Sequence, residues 1–281
     1  MAPLKVAFQG EPGAYSEQAA MALFPGAETV PCATFDEVFE AVAQGTCDHG
    51  VVPVENSLAG SIHRNYDLLL QHDLYIVGEH NLRVSHCLIA HPGVGLEEIK
   101  RIYSHPQALA QCEHSLRALG RHIETIPAHD TAGSVRLIAE RGERDAAAIA
   151  SARAAAVYGM AILRENLEDE KNNYTRFIAL GREPVTPQGE AKTSLVFAGR
   201  NEPGLLFRCL SAFALRNIDL SKIESRPVRG VPWEYFFYLD FIGSLTEERC
   251  QRALDQLREM ATFVRVFGSY PRARAAWVEE E

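Results

Sequence analysis

The sequence predicts an α/β protein in two parts, and three observations carry that reading. Strand-like apolar runs alternate with helical stripes over the first two-thirds of the chain, the pattern of a sheet covered by helices on both faces. A polar stretch rich in Pro and Gly, GREPVTPQGEAK at 181–192, interrupts this pattern as a linker would. Beyond it the order becomes βαββαβ over about 75 residues, a ferredoxin-like unit.

In order along the chain, strands are expected at 4–8, 50–54, 75–78, 87–90, 101–103, 123–127, 146–150 and 176–180. TFDEVFEAVAQG reads as a helix: Thr34 caps it, Glu37 completes a capping box, Phe35, Val38, Phe39 and Val42 form the apolar stripe, and Gly45 stops it. DTAGSVRLIAERG repeats the device with Asp130 as cap and Val135, Leu137 and Ile138 as apolar positions. SHPQALAQCEHSLRALG opens with Pro106 in its first turn, where a missing N–H costs nothing. About 180 residues is large for one sheet unit, which favours two lobes. Domain boundaries are placed at 1–183, a linker at 184–192, a second domain at 193–271 and a tail at 272–281. In the second domain strands are expected at 193–198, 218–228, 233–242 and 263–267, with RGVP as a turn. Its first helix should bury Leu206, Cys209, Leu210 and Phe213; its second should open at Thr246 with Glu247 and Glu248 in the first turn. The acidic end VEEE reads as a solvated tail.

Composition narrows the function. A formal net charge of −9 argues against a nucleic-acid binder. No apolar run approaches the roughly 20 residues needed to span a bilayer, and MAPLKVAFQG runs into a strand without a signal pattern, so a cytoplasmic protein is expected. The six cysteines form no CxxC pair and the histidines are dispersed, so no metal is expected.

The loops after the strands should carry the chemistry. GEPGAYSE, 10–17, is a glycine turn at a helix start, but it matches neither the dinucleotide fingerprint nor the P-loop. It serves equally as an anion site, with backbone donors and Ser16, or as a tight turn in which Ser16 caps the helix. PVENSLAGS places Glu55, Asn56, Ser57, Gly60 and Ser61 after a buried strand, suited to substrate hydrogen bonding or to capping the next helix. SHPQALAQC offers Ser104 as a cap with Gln107 and Gln111 on one helical face. NNYTRF brings Thr175, Arg176 and Phe177 to a strand entrance, where Arg176 makes a surface ion pair or clamps a carboxylate.

GEPGAYSE, PVENSLAGSI, SHPQALAQC, DTAGS and NNYTRF, in this order and followed by GLLFRCLSAFALRNIDLSKIESRP, closely resemble the prephenate dehydratase family, over about residues 3–271. The resemblance implies two α/β lobes similar to the type II periplasmic-binding-protein fold, with the active site in their cleft, and a C-terminal ACT regulatory domain. It implies conversion of prephenate to phenylpyruvate, water and carbon dioxide in phenylalanine biosynthesis, with no cofactor. Thr175, Glu55, Asn56, Ser104 and Gln111 match catalytic positions. Ser16, Ser57, Gly60, Ser61, Thr131, Arg176 and Phe177 are then expected on the substrate. In the ACT domain Asn201, Pro203, Gly204, Leu205 and Leu206, with Glu224, Ser225, Arg226 and Pro227, match the phenylalanine site. Leu205 stands where many relatives have alanine.

The reaction aromatises the ring, so the enzyme must fix a pose and assist loss of the hydroxyl. Thr175 would donate a hydrogen bond to the departing oxygen, or Glu55, if buried, would be the proton source. The family also suggests a homodimer or homotetramer with feedback regulation by phenylalanine. Arogenate dehydratase is the competing enzyme reading. An amino-acid-sensing binding protein is the competing reading from another class, and TRF with PVENS counts against it. A fused chorismate mutase is not expected, since nothing helical precedes Leu4.

Overall fold

In the computed structural model, which describes residues 3–120, 122–228, 230–231 and 233–273, the first apolar run becomes β1 (Lys5–Gln9), with Val6, Ala7 and Phe8 fully buried. It is followed by α1 (Tyr15–Leu23), β2 (Glu28–Cys32), α2 (Phe35–Ala43), β3 (His49–Asn56), β4 (Gly60–Ser61), α3 (His63–Gln71) and β5 (Tyr75–Arg83). Next come β6 (Cys87–Ala90), β7 (Arg101–Ser104), α4 (Pro106–Gln111), α5 (Glu113–Leu119), β8 (Glu124–Pro127), α6 (Thr131–Arg141), β9 (Ala146–Ala150), α7 (Ala152–Tyr158) and β10 (Ala161–Arg164). The chain returns through β11 (Tyr174–Gly181) and ends with β12 (Ala191–Ala198), α8 (Leu205–Ala214), β13 (Leu220–Pro227), β14 (Tyr235–Ile242), α9 (Glu248–Met260) and β15 (Phe263–Pro271).

Two compact units result, one of the residues up to His72 with His80–Ala179, the other of Asp73–Glu79 with Leu180–Ala273. The first unit holds the two expected lobes. One lobe is built on a sheet of order β2-β1-β3-β11-β5, with β4 paired to β3, and the other on a sheet of order β10-β6-β9-β7-β8. In the second sheet β9, with sequence AAAIA, is buried on both faces. Ala148 and Ala150 pack with Val135, Ile138 and Ala154 from α6 and α7, while Ala147 and Ile149 pack with Ala108 of α4, Leu116 of α5 and Cys112 between them. Alanine here lets helices approach both sides closely.

Local signals set the helix starts. Thr34 accepts from the Glu37 amide at 3.2 Å while Glu37 accepts from Ala33 at 2.9 Å. Asp130 accepts from Gly133 at 2.5 Å. Three starts differ from expectation. The cap of α1 is Ala14, with no side-chain bond, and Ser16 lies inside the first turn. The cap of α4 is His105, whose ring accepts from the Gln107 amide at 3.2 Å, because Ser104 is still the last residue of β7. In α9 the cap is Glu247 rather than Thr246.

The two lobes are tied through the loop at 10–14. The Ser151 hydroxyl, at the start of α7, donates to the Gly13 carbonyl at 2.7 Å. Arg153 donates to Glu17 at 2.7 Å, and Arg136 of α6 to Glu11 at 3.0 Å. Gly13 has φ +93°, and a Cβ there would lie 2.7 Å from the Ala154 Cα. Glycine is required at this position by both conformation and contact.

The second unit carries the expected βαββαβ order, in a sheet of order β13-β14-β12-β15. Leu195, Phe197, Leu239 and Phe241 pack with Cys209 and Phe213 of α8 and Leu254 and Leu257 of α9. The buried stripe of α8 is Leu205, Cys209, Ala212 and Phe213, and Leu206 faces outward. The helix begins after Gly204, at φ +81°; Cys209 and Phe213 are buried as expected and Leu210 packs against the same core, while Leu205 takes the place expected for Leu206. Trp233 is 76% exposed with φ +66° and precedes β14 instead of opening it. The stretch read as a linker ends inside β12: Ala191 and Lys192 are strand residues, and Lys192 is buried against Glu79 at 2.8 Å. Arg229 and Pro232 of the RGVP turn, and the VEEE end, lie outside the described residues.

Candidate active site

A cavity of about 590 Å³ opens between the lobes of the first unit, a size suited to a small metabolite. It lies at the carboxyl ends of parallel strands. Gln9 ends β1 and Gly10 follows it, Thr34 follows β2, Asn56 ends β3, His105 follows β7 and Asp130 follows β8. The starts of α1, α2 and α6 face it through Tyr15, Phe35 and Thr131. Helix starts concentrate unpaired N–H groups and a positive dipole end. No Lys or Arg is among the described residues that line the cavity. Of its two lining carboxylates, Asp36 is paired with Arg64 and Asp130 caps α6.

Asn56 organises the floor. Its Oδ1 accepts from the Leu58 and Ala59 amides at 3.1 and 2.9 Å, so its Nδ2 must face the other way. There Nδ2 donates to Asn173 Oδ1 at 2.8 Å, to the Tyr174 carbonyl at 3.2 Å and to Thr175 Oγ1 at 3.0 Å. Thr175 is therefore an acceptor toward Asn56, and its own O–H remains to donate into the cavity, which it lines together with Phe177.

Other expected residues divide into two groups. Ser16, Thr131 and Gln111 line the cavity with Thr175, Asn56 and Phe177. Glu55 and Arg176 do not: strand alternation turns the neighbours of Asn56 and Thr175 to the other side. Glu55 is half-buried and lies opposite Ser61 in the β3–β4 pair, which does not suit the buried proton source expected of it. Gly60 and Ser61 are consumed as β4. Ser57 donates to the Asn172 carbonyl and accepts from the Tyr174 amide, both at 2.9 Å, stitching the loop to β11. Ser104 is fully buried and donates to the Ile149 carbonyl at 2.7 Å, inside the sheet rather than in the cleft.

Sequence reasoning missed His86 and Tyr15. Both line the cavity, and Tyr15 Oη lies 2.9 Å from His86 Nδ1 and 2.7 Å from the Ser85 carbonyl. Burial raises the Tyr15 pKa well above its usual value, so the phenol keeps its proton. Burial lowers the His86 pKa, with Gln111 and Glu168 offsetting this only in part. Burial also lowers that of His105. No group of three or more His, Cys, Asp or Glu poised to hold a metal occurs among the described residues.

In the second unit the residues expected at the phenylalanine site lie at the start of α8 and along β13. Asn201, Pro203 and Gly204 are exposed, with no side-chain cap on α8, while Leu205 is buried. Glu224 is paired with Lys222 at 3.1 Å, and Ser225, Arg226 and Pro227 complete β13 at one edge of the sheet.

Residues 6–185 match the family model described as prephenate dehydratase. Over 290 aligned residues the chain is 51% identical to arogenate dehydratase 3, chloroplastic, of Arabidopsis thaliana, covering 98% of this chain and 68% of that protein. Among solved structures it is similar to one described as "GqqA- a novel type of quorum quenching acylases", with a TM-score of 0.88 and 37% identity, over 95% of this chain and 97% of that one. It is similar as well to the prephenate dehydratase of Arthrobacter aurescens in complex with L-Phe, with a TM-score of 0.87 and 33% identity, over 96% of this chain and 90% of that one. With its two lobes and βαββαβ unit, the chain belongs to the prephenate dehydratase family of lyases.

Proposed function

We propose that the protein catalyses the decarboxylating dehydration of prephenate to phenylpyruvate, and that Thr175 is its central catalytic group. The observation that supports this most is the one-way hydrogen bonding at Asn56, which leaves the Thr175 hydroxyl as a donor toward the cavity. In the proposed reaction the bond between the ring and its carboxylate breaks and releases carbon dioxide. Its electron pair completes the aromatic ring as the C4–O bond breaks. The departing hydroxide takes up one proton, ultimately from solvent, and leaves as water. Thr175 stabilises the charge growing on that oxygen. Neutral donors at the starts of α1 and α6, Ser16 and Thr131 among them, hold the carboxylates. Apolar Phe177, Ile62 and Val84 line the same cavity and favour loss of the charged ring carboxylate.

Arogenate is the second reading, favoured by the 51% identity to a protein named arogenate dehydratase. Its amino group needs an acceptor, and Asp130 is the lining carboxylate without a guanidinium partner. For the second unit we propose an ACT regulatory domain that binds L-phenylalanine at the α8 start and β13, on the resemblance of its motifs and the L-Phe complex of the Arthrobacter protein. A homodimer or homotetramer and feedback inhibition go with that reading. Inhibition requires phenylalanine to bind the less active state more tightly.

The test offers prephenate and arogenate separately, measures phenylpyruvate and phenylalanine, and repeats both with added L-phenylalanine. Thr175→Ala should lower kcat by about 10²–10³-fold. Unchanged turnover in that variant would remove Thr175 from the mechanism.

A further inference from the structure

Asp36 sets a carboxylate on the wall of a cavity read as a site for carboxylates. It lines the cavity from the first turn of α2. The helix dipole favours a negative side chain there, and side chains on a helix tilt toward its N-terminus, the end that faces the cavity. A substrate with two negative charges would be repelled at that wall. Arg64, in the first turn of α3, meets this carboxylate with a fork: its Nε donates to Asp36 Oδ2 at 3.3 Å and its second guanidinium arm to Oδ1. Neighbouring bonds fix where Arg64 stands. The Ile62 amide donates to the Val54 carbonyl at 2.8 Å, and the fully buried Asn65 donates from Nδ2 to the Pro53 carbonyl at 2.6 Å. These bonds pin the start of α3 to β3, the strand that delivers Asn56 to the cavity. Arg64 itself is not among the lining residues, so its charge acts by offsetting Asp36 and not by gripping the substrate.

We propose that Arg64 is a specificity-determining residue: by neutralising Asp36 it lets the cavity accept a dianion, and so favours prephenate over arogenate. This rests on the dehydratase reading and deepens it. Prephenate carries two negative charges, whereas arogenate, with its ammonium, carries a net one. Coulomb energy scales with the product of the charges, so loss of the guanidinium penalises prephenate about twice as much in free energy. An arogenate ammonium would also find an ionic partner in a bare Asp36. Both effects move the preference toward arogenate.

The experiment compares kcat and KM for both substrates in the wild type, Arg64→Gln, Arg64→Lys and the double variant Arg64→Gln/Asp36→Asn. An exposed ion pair adds little to stability, so the variants should melt within about 3 °C of the wild type. For prephenate, Arg64→Gln should raise KM about 10-fold with kcat within about twofold, the effect of one charge acting through a largely aqueous path. For arogenate the rise should be about threefold or less, the square root of that factor. Arg64→Lys, which keeps the charge, should recover most of the loss. Adding Asp36→Asn to Arg64→Gln should do the same, because the repelling carboxylate is gone. The defect should also shrink as salt rises from about 0.01 to about 1 M, where the screening length falls from about 30 to about 3 Å. An unchanged KM for prephenate in Arg64→Gln, an equal loss with both substrates, or a loss that Asp36→Asn leaves in place would each overturn the inference. A wild-type protein that turns over neither substrate refutes the dehydratase reading instead. Prephenate is then an unreacting dianion, and its Kd by calorimetry decides the charge argument. Weaker binding to Arg64→Gln than to the wild type supports it; equal affinity, or binding to neither, overturns it.

Discussion

Replacing Gly13 by alanine tests the tie between the lobes. Two costs add at this position. The backbone has φ +93°, and a left-handed or similar conformation costs a residue with a Cβ about 1–2 kcal/mol. The new Cβ would also sit 2.7 Å from the Ala154 Cα and 3.0 Å from its Cβ. Those atoms belong to α7, whose start is bonded back to the same loop through Ser151, so relief requires the lobes to part. Overpacking of this kind costs about 1–3 kcal/mol, for a total of about 2–5 kcal/mol. Gly26 supplies the control: its φ is +81°, and nothing lies within 4 Å of its added Cβ. Gly26→Ala therefore carries the conformational cost alone. By scanning calorimetry Gly13→Ala should melt about 3–10 °C below Gly26→Ala, the shift expected of 1–3 kcal/mol in a unit of this size. Equal melting temperatures would refute the packing argument and leave only the backbone one.

Three further outcomes follow from the same geometry. Asn56→Asp keeps the shape but sets a carboxylate against three acceptors; it should cost about 2–4 kcal/mol in urea unfolding and lower kcat at least tenfold, because the Thr175 hydroxyl turns to the new oxygen. Burial alone would raise the Glu17 pKa, but Arg153, the Gly13 amide and Thr29 together hold it below its usual value. Its contribution to stability is complete above the unfolded carboxyl's pKa of about 4.3 and is lost as pH falls through the lower folded value. Melting temperatures recorded from pH 6 down to pH 3 should thus fall more steeply for the wild type than for Glu17→Gln. In the second unit Lys192→Met leaves the Glu79 carboxylate buried without its ammonium partner, and should cost about 3–5 kcal/mol in the same unfolding assay.

What could be read in advance was local or periodic. Thr34 and Glu37 announced α2 because the cap is local: Thr34 accepts from the Glu37 amide, and the Glu37 carboxylate reaches back to the Ala33 amide, one residue short of the expected box at Thr34. Strands β6 and β9 were legible as uninterrupted apolar runs, since both their faces are covered. Strands β2 and β10 were not, because each lies at a sheet edge, half exposed, and β2 contains Pro31. In the site, the motifs contain Asn56, Gln111, Thr175 and Phe177, which line one cavity. They also drew in Glu55 and Arg176, which share strands with cleft residues but point the other way. The pairing of Tyr15 with His86 joins residues 71 positions apart, and no local pattern encodes such a meeting.

That no Lys or Arg lines the cavity among the described residues bears on how the proposed catalytic cycle would end. Prephenate would enter with two negative charges, and phenylpyruvate would leave with one. A fixed cation would grip the product nearly as firmly as the substrate and slow its departure. Hydrogen-bond donors and helix dipoles bind in proportion to the number of carboxylates they meet, so the loss of carbon dioxide itself removes half of what held the molecule. In the proposed reaction chemistry and release would then be coupled in one direction, with the escaping gas loosening what remains.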